Sequence, residues 1–217
     1  MPLLYSLHDV TKEFGTSVVL DIDQLSIEEG TLYTLTGANG AGKSTLLAIL
    51  AFLTPPSSGQ IAFGGEPVRW TRSGLCRLRR CVTLLHQDPY LLDASVAGNV
   101  AFGLKVRGIG GRSRHGIIEE ALAAVGLSGH GERPARELSG GQKQRVALAR
   151  AIAVKPRMLL LDEPFANMDR ESAAILESVI TSLPAKGTSV LLTTHDPSHP
   201  QRLGNRNIHL AAGRPAP

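Results

Sequence analysis

The run Gly37-Ala38-Asn39-Gly40-Ala41-Gly42-Lys43-Ser44 restricts the fold of this chain more than any other segment. Its spacing is G-x-x-x-x-G-K-[ST], a loop that cradles phosphate when a strand precedes it and a helix follows. Glycines let such a loop close with backbone N–H groups pointing inward. The following helix adds the positive end of its dipole. Both flanks comply. Leu32–Thr36 is a short apolar, β-prone run, and Ser44–Leu53 reads as a helix that ends before Pro55-Pro56. Lys43 is expected to reach the β- and γ-phosphates of a nucleotide, and the Ser44 hydroxyl to ligate Mg²⁺. An ordinary glycine-rich turn is the alternative, and its context disfavours it.

A strand–loop–helix unit of this kind implies an α/β core, and further strands are expected to match it. Met158–Leu161 is continuously apolar without alternation, as a strand buried on both faces of a parallel sheet should be. Ser189–Thr194 repeats that signature. Ile61–Phe63, closed by Gly64-Gly65, and Cys81–Leu85 read as shorter strands. Between Asp88 and Pro134 strand-like runs vanish. Helices are expected there at about Val96–Val106 and Arg112–Val125, with a return to the core at Arg136–Leu138. The expected division is a core of 1–87 and 156–217 with a helical subdomain over about 88–155. The tail Gly213–Pro217 is expected to fray, leaving no room for an appended regulatory domain. The chain has 217 residues, of which 42% are hydrophobic, enough for one large domain.

Two acidic residues and a second glycine turn carry further chemistry. Asp162 ends the apolar run Met158–Leu161, where a carboxylate can hold Mg²⁺ directly or through water. Glu163 follows, placed to orient or deprotonate an attacking water. Taken alone, Asp-Glu-Pro would read as a helix N-terminal cap with an early proline. Roughly a hundred residues after the phosphate loop stands Leu138-Ser139-Gly140-Gly141-Gln142. Ser139 and the N–H groups of Gly140 and Gly141 open a helix that could receive a second phosphate. One nucleotide does not need two cradles from one chain, so a second copy of the chain is expected to complete each site.

With these motifs the chain resembles the ATP-binding cassette (ABC) ATPases, the motor subunits of membrane transporters, nearly end to end. Leu138–Gln142 matches the family signature letter for letter. The resemblance implies an α/β fold: a P-loop NTPase (RecA-like) core with a mostly parallel sheet, an N-terminal antiparallel β region and a helical signature subdomain. It implies that ATP contacts Gly37, Ala38, Asn39, Gly40, Ala41, Gly42, Lys43, Ser44 and Thr45. The partner's ATP would meet Ser139, Gly140, Gly141, Gln142 and Asp169, the last in the aspartate loop Phe165-Ala-Asn-Met-Asp169. Gln87 matches the glutamine loop that senses Mg²⁺ and γ-phosphate, so Ser44, Gln87 and Asp162 form the metal set. His195 matches the switch histidine, and Glu163, His195, Gln87 and Lys43 the catalytic set. Phe14 sits where an aromatic stacks on adenine; Tyr5 is the weaker candidate and reads as core. Departures from the family pattern are Ala38 for a proline, Phe14 for a tyrosine, and Ala166-Asn167-Met168 for Ser-Ala-Leu.

The implied function is ATP hydrolysis that drives solute uptake, with cofactors ATP and Mg²⁺. Implied partners are a second copy of the chain, transmembrane permease subunits and, indirectly, an extracytoplasmic solute-binding protein. The implied place is the cytoplasmic face of the plasma membrane. Ala48–Leu53, Pro56–Gly59 and Asn99–Gly108 resemble tungstate-type oxyanion importers; another small solute, or a lipoprotein-release exporter, is the rival. The longest apolar run, Leu46–Leu53, is too short to span a bilayer, and no signal peptide is read. A net charge of +4 suits an anionic ligand or a membrane-surface partner. Arg69, Arg72, Arg77, Arg79 and Arg80 read as a solvated face rather than a nucleic-acid patch, and no nucleic-acid partner is expected. A stand-alone P-loop kinase or GTPase lacks the signature motif, and no Asn-Lys-x-Asp motif is present. Cys76 and Cys81 match no metal spacing and read as free thiols. Pro89, Tyr90, Leu91 and Leu92 are expected either as exposed apolar residues that receive a membrane subunit or as packing inside the helical insert.

Overall fold

The computed structural model describes residues 2–203 and 206–216. The chain forms two compact units, one of Met1–Leu84, Arg157–Asp162 and Leu183–Pro217, the other of Leu85–Pro156 and Glu163–Ser182. Relative to the expected core of 1–87 and 156–217, the segment Glu163–Ser182 groups with the helices.

The first unit carries two sheets. Strands β1 (Leu3–Phe14) and β2 (Ser17–Glu28) form a long antiparallel hairpin, joined by β4 (Ser58–Phe63) and β5 (Glu66–Pro67) in the order β2-β1-β4-β5. The second sheet runs β10-β9-β3-β8-β7-β6, with β3 (Leu32–Thr36), β6 (Val82–Leu85), β7 (Met158–Leu161), β8 (Ser189–Thr193), β9 (Arg206–Ala211) and β10 (Arg214–Ala216). β9, β3, β8 and β7 are mutually parallel neighbours. β7 and β8 are buried at every position, which is why their sequences show apolar runs without alternation. Helices α1 (Lys43–Leu50), α2 (Arg72–Arg79) and α7 (His199–Arg202) complete the unit. Parallel alignment sets the carboxyl ends of β3, β8 and β7 side by side, the usual place for a ligand in an open α/β sheet.

The end of α1 departs from expectation, stopping at Leu50 rather than Leu53. Phe52 enters the left-handed region at φ 58°. Leu53 N–H then bonds the Ala48 carbonyl and Phe52 N–H the Ile49 carbonyl, a Schellman closure normally made with glycine. Packing holds the phenylalanine there: Phe52 is fully buried and its ring meets Tyr5, Phe63 and Trp70. The Arg79 guanidinium also donates twice to the Phe52 carbonyl, at 2.9 and 2.7 Å. Tyr5 is core as expected, its hydroxyl bonding the Leu50 carbonyl at 2.8 Å. Arg69, Arg72, Arg77, Arg79 and Arg80 are exposed, and Cys76 and Cys81 are free.

The tail does not fray over Arg214–Ala216. These residues pair antiparallel with β9, Asp21 N–H bonds the Gly213 carbonyl at 2.9 Å, and Arg214 ion-pairs with Asp21. Two strands thus follow the last expected one, β9 having been hidden by its short, polar-interrupted pattern. Pro217 lies outside the described residues.

The second unit holds α3 (Val96–Val106), α4 (Gly111–Ala124), α5 (Gly140–Ala153) and α6 (Arg170–Ser182). α5 packs against the other three. The apolar segment before α3 is less open than the docking expectation requires. Only Tyr90 is well exposed, at 76%, whereas Pro89, Leu91 and Leu92 are half-buried. The cause is Asn99, fully buried on α3, which accepts from Leu92 N–H at 2.8 Å and donates to the Leu92 carbonyl at 3.1 Å. That two-way clasp folds the segment onto the helix. No described helix is long and apolar enough to cross a membrane.

Phe52→Ala should lower unfolding stability by about 3–5 kcal/mol, because it empties the aromatic cluster while leaving a side chain at positive φ. Urea unfolding followed by circular dichroism measures this; a loss below about 1 kcal/mol would show that the cluster does not hold the α1 terminus.

Candidate functional site

Within the first unit the phosphate loop is built by contact as well as by conformation. Gly37 adopts φ 146°, and a Cβ there would lie 2.2 Å from the Leu210 carbonyl oxygen. Gly42 adopts φ 95°, and its Cβ would lie 2.8 Å from the Val19 carbonyl oxygen. Both glycines are therefore required twice, by backbone dihedral and by space. α1 has Gly42 as its N-cap, with no side-chain cap and no acidic residue in its first turn. α2, α3 and α5, by contrast, are capped by Thr71, Ser95 and Ser139. The first N–H groups of α1 are left for an outside acceptor, as an anion site requires. Lys43 is buried, and its ammonium donates to the Gly37 and Ala38 carbonyls at 2.8 and 2.9 Å, across the mouth of the loop.

Asp162 stands at the carboxyl end of β7, beside β8. Its Oδ2 accepts from the Ser44 hydroxyl at 3.0 Å and its Oδ1 from the Thr193 hydroxyl at 2.8 Å. A hydroxyl and a carboxylate edge so close form a hard-oxygen pair, the donor type a small divalent cation takes alongside phosphate oxygens. No cluster of three His, Cys, Asp or Glu side chains capable of holding a metal occurs among the described residues.

His195 follows β8 and is exposed. It lines an open cavity of about 410 Å³ together with Thr36, Gly37, Thr194, Asp196 and His209, among others. The loop that carries it is braced from both sides. Buried Thr194 bonds His199 Nδ1 through its hydroxyl at 2.5 Å and accepts from Asp196 N–H at 3.1 Å. Hydrogen bonds from Ser198, and then the charges of His199 and Arg202, hold the Asp196 carboxyl below its usual pKa. Phe14 is 56% exposed at the end of β1, with the Lys12 ammonium 5.1 Å from its ring centroid. Thus Phe14, the Gly37–Thr45 segment, Asp162 and His195 belong to one unit.

Gln87, Glu163, Ser139–Gln142 and Asp169 belong to the other. Ser139 and Gln142 form a reciprocal capping box: the Ser139 hydroxyl accepts from Gln142 N–H at 3.3 Å, and Gln142 Oε1 accepts from Ser139 N–H at 3.1 Å. The two glycines between them differ sharply. A Cβ on Gly140 would meet nothing within 4 Å, whereas one on Gly141 would lie 2.8 Å from Ser172 Oγ and 3.2 Å from Asp169 Oδ2. The signature turn is thus seated directly on the start of α6. Asp169 caps that start, accepting from Ser172 N–H at 2.8 Å, and this bonding lowers its pKa. A depressed carboxylate pKa contributes stability above its unfolded value of about 3.9, lost only as pH falls through the lower folded value. Gln87 lines an open cavity of about 390 Å³ with Tyr90, Gly140, Lys143, Gln144 and Asn167, among others. Glu163 and Asn167 take positive φ, 46° and 57°, the kind of strained placement that concentrates at functional sites.

Thr193, Thr194 and Ser172 escaped the sequence reading as site residues. Thr193 sits inside an apolar strand, where a buried hydroxyl had to have a partner, and that requirement was the only signal. Alanine at Gly141 should displace α6 and melt the capped turn, lowering thermal stability measurably. Alanine at Gly140, in open space, should leave the isolated chain's melting temperature within about 2 °C of the parent, consistent with a surface change. Equal melting temperatures for the two variants, read by differential scanning fluorimetry, would contradict the seating of Gly141 on Ser172.

Comparison with known proteins agrees with this architecture. A family model described as ABC transporter matches residues 20–166. An Fe(3+) ions import ATP-binding protein of Haemophilus influenzae is 39% identical over 211 residues, covering 96% of this chain and 63% of that protein. The chain thus spans less than two thirds of that relative's length. The tungstate uptake system ATP-binding protein of Peptoclostridium acidaminophilum is 35% identical over 210 residues, covering 96% of this chain and 95% of the relative. A dimeric ATP-binding cassette solved in a post-hydrolysis state with ADP and Pi superposes with a TM-score of 0.87 at 29% identity, covering 98% of this chain and 97% of that one. With two sheets, a glycine cradle, an apposed strand-end carboxylate and a signature turn, the chain belongs to the ABC transporter family.

Proposed function

We propose that this chain is the ATP-hydrolysing subunit of a membrane importer, acting as a dimer that closes around two ATP. The carrying observation is the pairing of Ser44 with Asp162 at the mouth of a helix whose N-terminus no side chain caps. Lys43 would take the β- and γ-phosphates in place of the loop carbonyls it now holds. Mg²⁺ fits the Ser44 hydroxyl and Asp162 carboxylate, with Gln87 as its third proposed contact. Bound there, it would neutralise charge on the phosphates. Glu163 orients or deprotonates the attacking water, and His195 contacts the γ-phosphate. Ser139, Gly140, Gly141, Gln142 and Asp169 complete the partner's site. The open space over Gly140 supports this, since a phosphate of a second chain could approach its N–H unobstructed. Phe14 offers its exposed ring to adenine.

The substrate class we propose is a small inorganic ion, and the finer reading is a tungstate-like oxyanion. Relatives named for Fe(3+), phosphate and tungstate match at 39, 36 and 35% identity, which favours an ion over a lipoprotein-release substrate. The implied partners are permease subunits at the cytoplasmic face of the membrane and a solute-binding protein outside it. Identifying the ligand of the solute-binding protein that co-purifies with the assembled transporter tests the substrate reading; an organic ligand would overturn it.

Glu163→Gln should keep ATP binding and lower turnover about 10²- to 10⁴-fold. It should accumulate an ATP-dependent dimer on size-exclusion chromatography. Hydrolysis at the parent rate would remove Glu163 from the role of base. Ser139→Arg should abolish turnover while the monomer still binds a fluorescent ATP analogue; full activity in that variant would sink the two-chain site.

A further inference from the structure

Thr193 is a fully buried polar residue at the carboxyl end of β8. The register places it beside the metal-proposed carboxylate. β7 and β8 pair in parallel with Leu161 opposite Leu192, so the next step along each strand brings Asp162 and Thr193 together. Across β8 on its other side, Leu35 of β3 pairs with Thr193, so the same residue lies next to the strand that leads into the phosphate loop.

The two oxygens of Asp162 are divided between two hydroxyls: Oδ1 takes Thr193 at 2.8 Å and Oδ2 takes Ser44 at 3.0 Å. The terminal torsion of an aspartate is broad and nearly two-fold, so one hydrogen bond alone leaves the carboxylate plane loosely set. A threonine on a strand is stiff at χ1, and its hydroxyl is held where the backbone puts it. Two anchored donors, one on each oxygen, define the plane. We infer that Thr193 is a positioning residue: by binding Oδ1 from the buried side, it turns the Oδ2 edge of Asp162 toward Ser44 and presents a preorganised metal-binding edge. Thr193 touches neither nucleotide nor metal. It acts through Asp162, in the way an outer ligand orients an inner one.

The inference rests on the reading of Asp162 as a metal ligand, and the experiment separates the two. Mn²⁺ binding to the full chain in the presence of ATP is measured by electron paramagnetic resonance, and ATP-analogue binding in EDTA by fluorescence. Thr193→Val should raise the Mn²⁺ dissociation constant about 10- to 100-fold, the usual effect of losing such a support. It should leave metal-free nucleotide binding unchanged. Thr193→Ser, which keeps the hydroxyl, should bind Mn²⁺ like the parent. If Thr193→Val does not fold by circular dichroism, Thr193→Ala takes its place. Parent-like Mn²⁺ affinity in the hydroxyl-free variant overturns the inference, as does a Thr193→Ser protein as weak as it. Asp162→Asn is the control: if it too binds Mn²⁺ like the parent, the reading of Asp162 as a metal ligand falls and the inference with it, whereas weakened binding in Asp162→Asn beside a parent-like Thr193→Val overturns the positioning role alone.

Discussion

The carboxylate of Asp162, clasped between a hydroxyl from α1 and a hydroxyl from β8, is the contact that ties the glycine loop's helix to the strand ends of the first unit. It exists because β3, β8 and β7 run parallel and adjacent, so their carboxyl ends share one edge. Were any of them reversed, the lysine loop, the acidic strand end and the histidine after β8 would separate to opposite ends of the sheet. β7 and β8 are buried on both faces, so the edge they share is backed by packed core.

Space around the glycines separates those that their own chain demands from those that it does not. At Gly37 and Gly42 a single carbon would strike a backbone carbonyl of a neighbouring strand, so the cradle is moulded against β9 and β2. Gly141 is moulded in the same sense against Ser172. Gly140 is not; nothing in its own chain asks for glycine there. A residue kept free of a side chain without an internal reason is what a site completed from outside would need. The turn joining β7 to α6 also holds Glu163 and Asn167 at positive φ.

Much of this was legible in the sequence, for identifiable reasons. β3 and β7 were readable because continuous apolar runs are local signals. The signature and phosphate loops were readable because their backbone shapes demand particular residues within a few positions. The Leu53 end assigned to α1 was too late, because only the aromatic cluster explains why Phe52 turns left-handed. The docking expectation for Pro89–Leu92 met a buried asparagine whose partner is not in any local pattern. The supposed fray at the C-terminus became a strand because Gly213 and Arg214 are tied to Asp21, almost the whole chain away.

The sequence by itself determined the α/β class, the family, the two glycine-rich turns and the acidic strand end, since each is written in contiguous residues whose conformational demands are local. Tertiary structure alone decided how those pieces are aimed. The bond from Thr193 to Asp162 spans 31 residues and that from Ser44 to Asp162 spans 118. The seat of Gly141 on Ser172 is likewise set by packing. A buried hydroxyl must find an acceptor, but the chain does not announce which one; only strands placed side by side make that choice.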